Sequence, residues 1–432
     1  MSLTREENEL LCRVGPGTPM GEMIRRFWVP VCLSEELPEP DCDPIRIRIV
    51  GEDLVAFRDS AGNVGLVEEH CPHRGASLFF GRNEEGGLRC LYHGWKMDVA
   101  GNILETPCEP AESRMRFHIK HTAYPVIEAG DVVWSYLGPP AKKPDFPYYW
   151  WTKVPSANRI VGKIDYDCNY IQAIEGAIDS SHADFLHSGY EVLGWSEEQI
   201  RQFDPNRSTA QDTRWEVDET EYGMRYAAIR NAPGTTDGSK AVRVSVFEVP
   251  FHCLLAGGVN TDVPHLFVPA DDNFTWFYDV RISSEPLDKA LSMQQRGVVM
   301  GVDLGADYRK VRTLANNFQQ NRQAMREREE KWAYSGIAWG KPHQDMAVIE
   351  SMGPIYDRTK EHLGVQDVGV TRMRQRMLAA VRHFIETGEV AELDHTIPYD
   401  QIRGEVKVIP ADARWQDTVS AFERRPVGAG RP

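Results

Sequence analysis

The sequence has no long apolar run and no excess of basic residues. None of its apolar stretches approaches the roughly 20 residues that a helix needs to cross a bilayer, and the first residues, MSLTREENELL, lack the basic and apolar segments of a secretion signal. We therefore expect a cytoplasmic protein. A formal net charge of −15 argues against a nucleic-acid surface, because phosphate binding requires lysines and arginines clustered on one face. An acidic substrate would need dedicated arginines.

Cysteine is also sparse. Eight cysteines are spread over 432 residues, and without a secretion signal we expect reduced thiols rather than disulfides. Only Cys71 and Cys90 belong to a ligand pattern.

The length and an ordinary composition, with 41% hydrophobic and 26% charged residues, indicate a globular protein of two or three domains.

Two Cys-His pairs form the strongest motif. Cys71 and His73 stand in HCPHRG, and Cys90 and His93 follow in CLYHGW after a gap of sixteen residues. Thiolates bind iron and sulfide tightly, and imidazoles in place of two thiolates suit a [2Fe–2S] cluster of raised potential, the Rieske type. A structural zinc is the alternative, but zinc modules commonly show C-x2-4-C and H-x3-5-H spacing, whereas here each cysteine is followed by its own histidine.

Period-two alternation predicts that this motif lies in an antiparallel β domain. Apolar and charged residues alternate from Ile45 in IRIRI, and LVAFRD and NVGLVEE follow with Gly and Asp turns between them. The cysteines then lie in loops at strand tips, where a cluster is held rigidly near the surface. Upstream, Thr18 as N-cap and Pro19 at the first helical position predict a short amphipathic helix. The prolines of GPPAKKPDFP mark a linker and place a domain boundary near residue 150.

A second candidate metal site follows the linker. The segment DYDCNYIQAIEGAIDSSHADFLHSGY predicts one helix with isoleucines and Phe185 on its apolar side. Asp179 and His182 are three residues apart, so the carboxylate can reach the neighbouring ring. His187 lies about 140° further around an ideal helix. Both histidines can meet one metal only if the helix is unwound or π-bulged, so we predict irregular geometry around residues 183–186. Two unrelated histidines on a polar face are the alternative.

A mononuclear iron would need a carboxylate beside the two histidines. The 2-His-1-carboxylate triad with open positions is the site that non-haem Fe(II) oxygenases use to bind O₂ beside substrate. Asp345 is our candidate, because it lies at the start of a predicted helix with periodic apolar residues, after the helix-breaking segment GKP. Glu350 and Asp357 are alternatives, and an ordinary carboxylate at a helix N-terminus is a further interpretation of all three.

The motifs CPHRGA, CLYHGW, NYIQAIEGAIDSSHADFLH and QDMAVIESMGPI-x-DRT resemble those of the Rieske non-haem iron aromatic-ring oxygenases, in particular the phthalate dioxygenase-like branch. The resemblance extends from GTPMGEMIRRFW to the helix before residue 380. It implies two sets of metal ligands, with Cys71, His73, Cys90 and His93 holding the cluster and His182, His187 and Asp345 holding the catalytic iron.

The resemblance also gives Asp179 a catalytic role. It matches the family's bridging aspartate, which bonds a cluster histidine of a neighbouring subunit on one side and an iron-ligand histidine on the other. His93 of one chain would then lie near Asp179 and His182 of the next. Members of this branch are homotrimers or stacked hexamers and take electrons from an NADH-dependent reductase that contains FMN and an iron–sulfur centre. Tyr170 stands where the family often has Trp, and an aromatic side chain is retained.

The pattern and the resemblance together predict an α+β fold in three parts. Residues 1–40 form an N-terminal helical segment that packs on the catalytic domain. Residues 41–150 form the antiparallel β Rieske domain. Residues 151–432 form a catalytic mononuclear-iron domain of the helix-grip type, in which helices cover an antiparallel sheet.

An aromatic carboxylate is the substrate that the resemblance implies, and a bidentate arginine is the suitable partner for it. Alternation in AVRVSVFE places Arg243 on the strand face opposite Val242 and Val244, from which it could enter a pocket. Arg207 and Ser180 are further candidates for substrate binding. For each arginine, a solvated surface position is the alternative.

Ring dihydroxylation of a phthalate-like or substituted benzoate is therefore our first hypothesis. Monooxygenation or O-demethylation of a substituted benzoate uses the same iron site, and no motif separates these reactions. A hypothesis from a different class is a non-catalytic iron–sulfur electron-transfer protein. Electron transfer alone would need only the residues up to 150, so the remaining two-thirds of the chain favour an enzyme.

Overall fold

The structure is a computed structural model of the chain. It describes residues 2–179, 181–187, 213–232, 235–256, 262–287, 303–305, 307–327, 334–337 and 340–419. The chain divides into two compact units, which we call the N-terminal unit (Val14–Phe146 and Pro269–Asp271) and the C-terminal unit (Met1–Arg13, Pro147–Val268 and Asp272–Pro432). The segment 1–40 that the sequence analysis set apart is thus divided between the units, with residues 14–40 in the N-terminal one.

The α-helices of the described residues are α1 (Arg5–Cys12), α2 (Pro19–Ile24), α3 (Tyr170–Ile178), α4 (Ala183–Leu186), α5 (Arg322–Glu327), α6 (Lys341–Glu350), α7 (Val368–Thr387) and α8 (Trp415–Thr418). The helix predicted near Thr18 is confirmed as α2, because the Thr18 side chain accepts a hydrogen bond from Gly21 N–H and Pro19 occupies the first turn. No helix in the described part of the chain combines the length and apolar character that a bilayer crossing requires.

Short antiparallel sheets build the N-terminal unit. Their strands are β1 (Trp28–Leu33), β2 (Ile45–Ile49), β3 (Glu52–Arg58), β4 (Val64–Glu68), β5 (Arg82–Glu84), β6 (Gly87–Arg89), β7 (Lys96–Met97), β8 (Ile103–Glu105), β9 (Ala123–Tyr124), β10 (Val126–Ala129) and β11 (Val132–Tyr136). The strand orders are β1-β11-β10, β2-β3-β4-β9 and β5-β6-β7-β8. Ile47 and Ile49 of β2 are buried while Arg46 and Arg48 are exposed, so the alternation read from the sequence corresponds to a half-buried strand.

One large antiparallel sheet forms the centre of the C-terminal unit. Its strands are β12 (Arg159–Tyr166), β13 (Arg214–Thr220), β14 (Gly223–Asn231), β15 (Lys240–Glu248), β16 (His252–Ala256), β17 (Asp262–Pro269), β18 (Thr275–Ile282) and β19 (Glu405–Ile409). The order is β12-β18-β17-β16-β15-β14-β13, and β19 pairs with β15. The predicted α+β architecture, with a β-rich N-terminal part and a sheet-and-helix C-terminal part, is confirmed.

The two faces of this sheet have different partners. On the outer face, Val242 and Val244 of β15 pack with side chains from the C-terminal segment, namely Ile409, Trp415 and Val419. On the inner face, Tyr226 and Val217 lie beside the C-terminal end of α3, where they line a small cavity together with Asp179. The inner face is therefore the one that faces the histidine-bearing helices.

Candidate metal centres

Two loops with the same backbone pattern present the Cys-His pairs of the N-terminal unit. In each loop the cysteine N–H donates to the carbonyl five residues on, and the cysteine carbonyl accepts from the N–H of a glycine four residues on, all at 2.8 to 3.0 Å. The glycines are Gly75 after Cys71 and Gly94 after Cys90, both with φ of 73°. Glycine adopts this left-handed conformation without the steric strain of other residues. The loops thus hold the two cysteines in equivalent positions.

The side chains in these loops fit an iron–sulfur cluster. Cys71 and Cys90 are buried, with 3% and 2% of their surface exposed, whereas His73 and His93 are half-buried and their ring centroids lie 4.5 Å apart. His93 Nδ1 is buried without a hydrogen-bond partner among the described residues. Desolvation, with the nearby charges of His73 and Arg74, lowers the pKa of His93, and a neutral imidazole is the form that binds a metal.

A structural zinc would require the four side chains to converge on one point. They do not converge. A tetrahedral zinc with bonds of about 2.0 to 2.3 Å would bring its ligand atoms within about 4 Å of one another. In the described part of the chain, the one group of three or more His, Cys, Asp or Glu whose ligand atoms all lie within 4.8 Å is elsewhere. The arrangement in the N-terminal unit favours a centre with two metal ions over a single zinc.

That other group consists of His182, His187 and Asp345 in the C-terminal unit. Asp345 Oδ1 lies 3.3 Å from His182 Nε2 and 3.1 Å from His187 Nε2, and the two imidazole rings are 5.1 Å apart at an angle of 78°. Two imidazole nitrogens and one carboxylate oxygen are the ligand set of non-haem Fe(II) sites. The structure thus brings together the three residues that the sequence analysis assigned to the iron.

The charges of this group are coupled. Burial raises the pKa of Asp345, but His187 and His182 lower it by more, so its pKa lies well below the ordinary value. Burial lowers the pKa of His182, but the carboxylates of Asp179 and Asp345 raise it to about 10. A cation that binds here would therefore displace a proton from His182 at neutral pH.

The chain around the two histidines differs from the predicted single helix. Helix α3 ends at Ile178, Asp179 is extended with φ −69° and ψ 96°, and α4 begins only after His182. The Asp179 carboxylate accepts hydrogen bonds from the N–H and hydroxyl of Ser181 at 2.8 and 2.5 Å, and such local bonds compete with helical ones. The irregular geometry predicted around residues 183–186 is wrong, because the break precedes His182. Phe185, expected on an apolar face, is 61% exposed.

Close packing of α3 against α6 places Asp345 beside the histidines. A Cβ at Gly176 of α3 would overlap Ile349 Cδ1 of α6, so glycine permits the two helices to approach. Gln172 donates to Gly353 O at 3.0 Å and accepts from Tyr356 N–H at 2.7 Å. The buried amide thus holds the chain after α6 against α3.

The alternative carboxylates have other partners. Glu350 is 1% exposed, and its Oε1 accepts from Asp167 N–H and pairs with Lys310 Nζ, both at 3.0 Å. Asp357 accepts from Thr359 N–H at 3.2 Å and caps a short 3-10 helix. Neither belongs to the group that contains the two histidines.

A residue that the sequence analysis missed contacts His187. Gln344 is 1% exposed; its Oε1 lies 2.7 Å from His187 Nδ1, and its Nε2 donates to Ile337 O at 3.1 Å. Because the amide nitrogen is already a donor to Ile337, the amide oxygen faces the ring and selects the tautomer with a proton on Nδ1. His187 Nε2 is then free to bind a metal. The signal that the sequence offered for Gln344 was its position next to Asp345.

The predicted substrate residues have different outcomes. Ser180 and Arg207 lie outside the described residues. Arg243 is half-buried in β15 and its Nε donates to Ala256 O at 2.7 Å. Burial raises the pKa of Tyr226, Arg243 lowers it and Asp179 raises it, so both charged groups lie near this phenol. Arg243 is therefore on the inner face, on the same side as Asp179.

Comparison with known proteins assigns the chain to a family. The Rieske [2Fe-2S] domain matches residues 27–125, and the LigXa C-terminal domain like family matches residues 135–428. The oxygenase subunit of phthalate 4,5-dioxygenase from Pseudomonas putida is 42% identical over 431 residues, which cover 96% of this chain and 94% of that protein. The chain belongs to the Rieske non-haem iron aromatic-ring oxygenases. The cofactors of this family are a [2Fe–2S] cluster and a mononuclear non-haem iron, so the cofactor prediction is confirmed.

Further relatives of this Rieske oxygenase are similar over most or all of its length. The oxygenase subunit of 3-chlorobenzoate-3,4-dioxygenase from Comamonas testosteroni is 34% identical and covers 100% of both chains. The structure of the QL mutant of NdmA from Pseudomonas putida CBB5 has a TM-score of 0.57 at 19% identity, covering 87% of this chain and 95% of that one. Dicamba monooxygenase has a TM-score of 0.53 at 18% identity, covering 85% and 99%. These two structures share the fold.

Replacing Gln344 with Leu should weaken iron binding in this oxygenase. His187 would lose the acceptor that fixes its ring and tautomer, and loss of such a partner typically costs about 10- to 100-fold in metal affinity. Chelator competition measures the affinity for Fe(II), and the EPR signal of the cluster should not change. Gln375→Leu, at an exposed position of α7, is the matched control. Equal affinity in Gln344→Leu and the wild type would contradict the role.

Proposed function

We propose that this chain is the oxygenase component of a dioxygenase that hydroxylates the ring of an aromatic carboxylate, using O₂ and electrons from an NADH-dependent reductase. The observation that carries the proposal is the convergence of His182, His187 and Asp345 in a chain that also contains a Rieske domain. The named substrates of the full-length relatives, phthalate and 3-chlorobenzoate, support an aromatic acid. The cytoplasmic location predicted from the sequence belongs to the same proposal.

The proposed ligand sets are those that the resemblance implies, with Cys71, His73, Cys90 and His93 for the cluster and His182, His187 and Asp345 for the iron. When bound, the cluster supplies single electrons and the iron supplies the position at which O₂ meets the ring. Gln344 Oε1 fixes Nδ1 of His187, and the Asp179 carboxylate lies beside Nδ1 of His182 at an ion-pair distance of 3.7 Å from Oδ2. Both rings thus direct Nε2 to the same point.

Asp179 is the proposed link between subunits. One of its oxygens is engaged by Ser181, and the other faces His182, so the carboxylate lies directly behind a proposed iron ligand. In the proposal it also accepts a hydrogen bond from His93 of a neighbouring subunit, which requires a homotrimer or a hexamer of stacked trimers. The reductase is proposed to carry FMN and an iron–sulfur centre.

Arg243 is the proposed partner of the substrate carboxylate. Its Nε is engaged by Ala256 O, whereas its two terminal nitrogens have no hydrogen-bond acceptor among the described residues. A guanidinium edge on the inner face can bind a carboxylate through two parallel hydrogen bonds. Ser180 and Arg207 remain the further candidates that the sequence analysis named.

Cofactor analysis combined with oxygen uptake tests the function. Purified protein should contain sulfide, a Rieske EPR signal and one iron per subunit beyond the cluster, and should consume O₂ with an aromatic acid only when NADH and a reductase are present. A panel of phthalate isomers, halobenzoates and phenoxybenzoates would identify the substrate by coupled product formation. Zinc without sulfide would overturn the proposal, and an absence of the additional iron would favour an electron-transfer protein.

Replacing Arg243 with Met should raise KM for the aromatic acid by about 10- to 100-fold, because one charged hydrogen-bonding partner is lost. The change in kcat should be smaller, since the reacting ring atoms are not those that bind arginine. Steady-state kinetics with the identified substrate measures both constants. Arg214→Met, at a side chain 75% exposed, is the control, and an unchanged KM in Arg243→Met would exclude Arg243 from substrate binding.

A second candidate reaction has support from one relative. The oxygenase subunit of 5,5'-dehydrodivanillate O-demethylase is 30% identical over 386 residues, covering 87% of this chain and 80% of that protein. Labelled dioxygen separates the two reactions on the identified substrate. Two labelled oxygen atoms in a cis-diol product indicate dioxygenation, whereas formaldehyde and a free phenol indicate demethylation.

A further inference from the structure

A buried Asp-His pair on the sheet of the C-terminal unit is separate from all the proposed metal ligands. Asp279 of β18 is fully buried, and its Oδ2 accepts from Arg281 Nε at 3.0 Å and Nη2 at 2.7 Å. Its other oxygen, Oδ1, lies 3.4 Å from His265 Nε2 of β17. Both atoms are buried, yet neither has an aligned hydrogen-bond partner among the described residues. Because buried polar atoms are nearly always satisfied, a further polar group beside these two atoms would complete their hydrogen bonding.

Aromatic rings form a wall beside the pair. His265 meets Phe277 edge-on at 4.7 Å, and Phe267 stacks parallel on Phe277 at 4.8 Å. Tyr166 of β12 meets the two phenylalanine rings edge-on at 6.1 and 5.9 Å. Offset and edge-on contacts of this kind are the ones that aromatic rings prefer. The wall is therefore suited to hold another aromatic ring.

Tyr166 connects the aromatic wall to the proposed iron site. Tyr166 ends β12, and the next residue, Asp167, donates its N–H to Glu350 of α6, the helix that carries Asp345. Burial raises the pKa of Tyr166, and the carboxylates of Asp345 and Asp279 raise it further. Both carboxylates therefore lie near the Tyr166 phenol, one on the iron side and one on the side of the pair.

Strand register places His265 on the same face as Arg243. Phe247 of β15 is directly opposite Cys253 of β16, which is directly opposite His265, and directly opposed residues share a face. Arg243 lies on the face of Phe247, four residues earlier in β15. Two strand spacings and four residues correspond to roughly 17 Å between the Cα atoms of Arg243 and His265. This separation is of the order that a substituted benzene ring would span together with the two side chains on either side of it.

The charge of the pair selects the kind of group that it binds. Burial raises the pKa of Asp279, but Arg281 and His265 lower it by more, so the carboxylate is ionised at neutral pH. Arg281 already balances this charge, so the free oxygen suits a neutral donor better than a second cation. A hydroxyl group fits both atoms, because it can donate to Asp279 Oδ1 and accept from His265 Nε2.

We propose that Asp279 and His265 form a hydroxyl-binding subsite of the substrate pocket, and that the substrate is an aromatic acid with a ring hydroxyl remote from its carboxylate. This inference rests on the proposed function, in which Arg243 binds the carboxylate end. The hydroxyl then orients the ring along the wall formed by Tyr166 and the two phenylalanines. The subsite determines which ring edge is presented to the iron.

Equilibrium binding tests the subsite without turnover. Calorimetric titration of the metal-loaded protein, without reductant, compares benzoate with 3-hydroxybenzoate and 4-hydroxybenzoate. One hydroxybenzoate should bind about tenfold or more tightly than benzoate, since a hydrogen bond to a buried charge is worth at least that factor. Asp279→Asn should abolish this difference between benzoate and the hydroxybenzoate. The control is Asp218→Asn, which removes an Asp-Arg pair with Arg225 on the outer face and should keep the preference.

A second variant covers the case in which Asp279→Asn does not fold. His265→Phe keeps an aromatic ring beside Phe277 and removes Nε2, and it should also lose the preference for the hydroxyl. Equal affinity for benzoate and both hydroxybenzoates in the wild type would overturn the subsite alone, as would an equal loss of affinity for all three acids in Asp279→Asn. A lack of coupled oxygen uptake with any aromatic acid would instead overturn the proposed function.

Discussion

Asp345→Ala is expected to eliminate the mononuclear iron and to reduce turnover by at least about a thousandfold. Asp345 supplies the carboxylate oxygen that lies within 3.3 Å of both His182 Nε2 and His187 Nε2. Without it, two neutral imidazoles would have to hold a divalent cation without a charged ligand. The Rieske signal should persist, because the proposed cluster ligands belong to the other unit of the chain.

Iron and sulfide analysis, EPR and oxygen uptake together measure this result. The variant should retain the iron and sulfide of the cluster and lose one iron per subunit. Asp357→Asn is the matched control, because this carboxylate was an alternative ligand in the sequence, whereas in the structure it caps a 3-10 helix and pairs with Lys360. If Asp345→Ala kept the additional iron and its activity, the carboxylate ligand would have to come from another part of the chain.

The sequence was most informative where short motifs carry the chemistry. The Cys-His pairs and their following glycines are local, so their loops could be anticipated from spacing alone. Asp345 was harder to select, because its distance from the histidines depends on how α3 packs on α6. In that packing Gly176 contacts the tip of the Ile349 side chain, and no pattern within a single helix reveals this contact.

The features that the sequence did not reveal depend on long-range packing, or on side-chain hydrogen bonds that compete with the backbone bonds of a helix. Gln344 contacts a histidine 157 residues away in the sequence. The pairing of His265 with Asp279 depends on strand order, which cannot be read from alternation in each strand. The break at Asp179 was missed because apolar periodicity continues through it, although its side chain bonds the backbone of Ser181.

Asp179→Asn is expected to keep both metal centres and to lose at least about 100-fold in turnover. The asparagine carbonyl can still accept the N–H and hydroxyl of Ser181, which Asp179 now binds at 2.8 and 2.5 Å, so the break between α3 and α4 should persist. What the substitution removes is the negative charge beside His182. In the proposed assembly, this charge also holds a cluster histidine of the neighbouring subunit.

The diagnostic measurement is the rate at which the chemically reduced cluster is reoxidised in the presence of O₂ and substrate. This rate should fall in Asp179→Asn in parallel with turnover, while the iron content and the Rieske spectrum stay at wild-type values. Ser181→Ala is the control, because it removes one hydrogen bond to Asp179 and keeps the charge, and it should retain most of the activity. Wild-type reoxidation in Asp179→Asn would refute the bridging role, because electrons would then reach the iron site without the carboxylate.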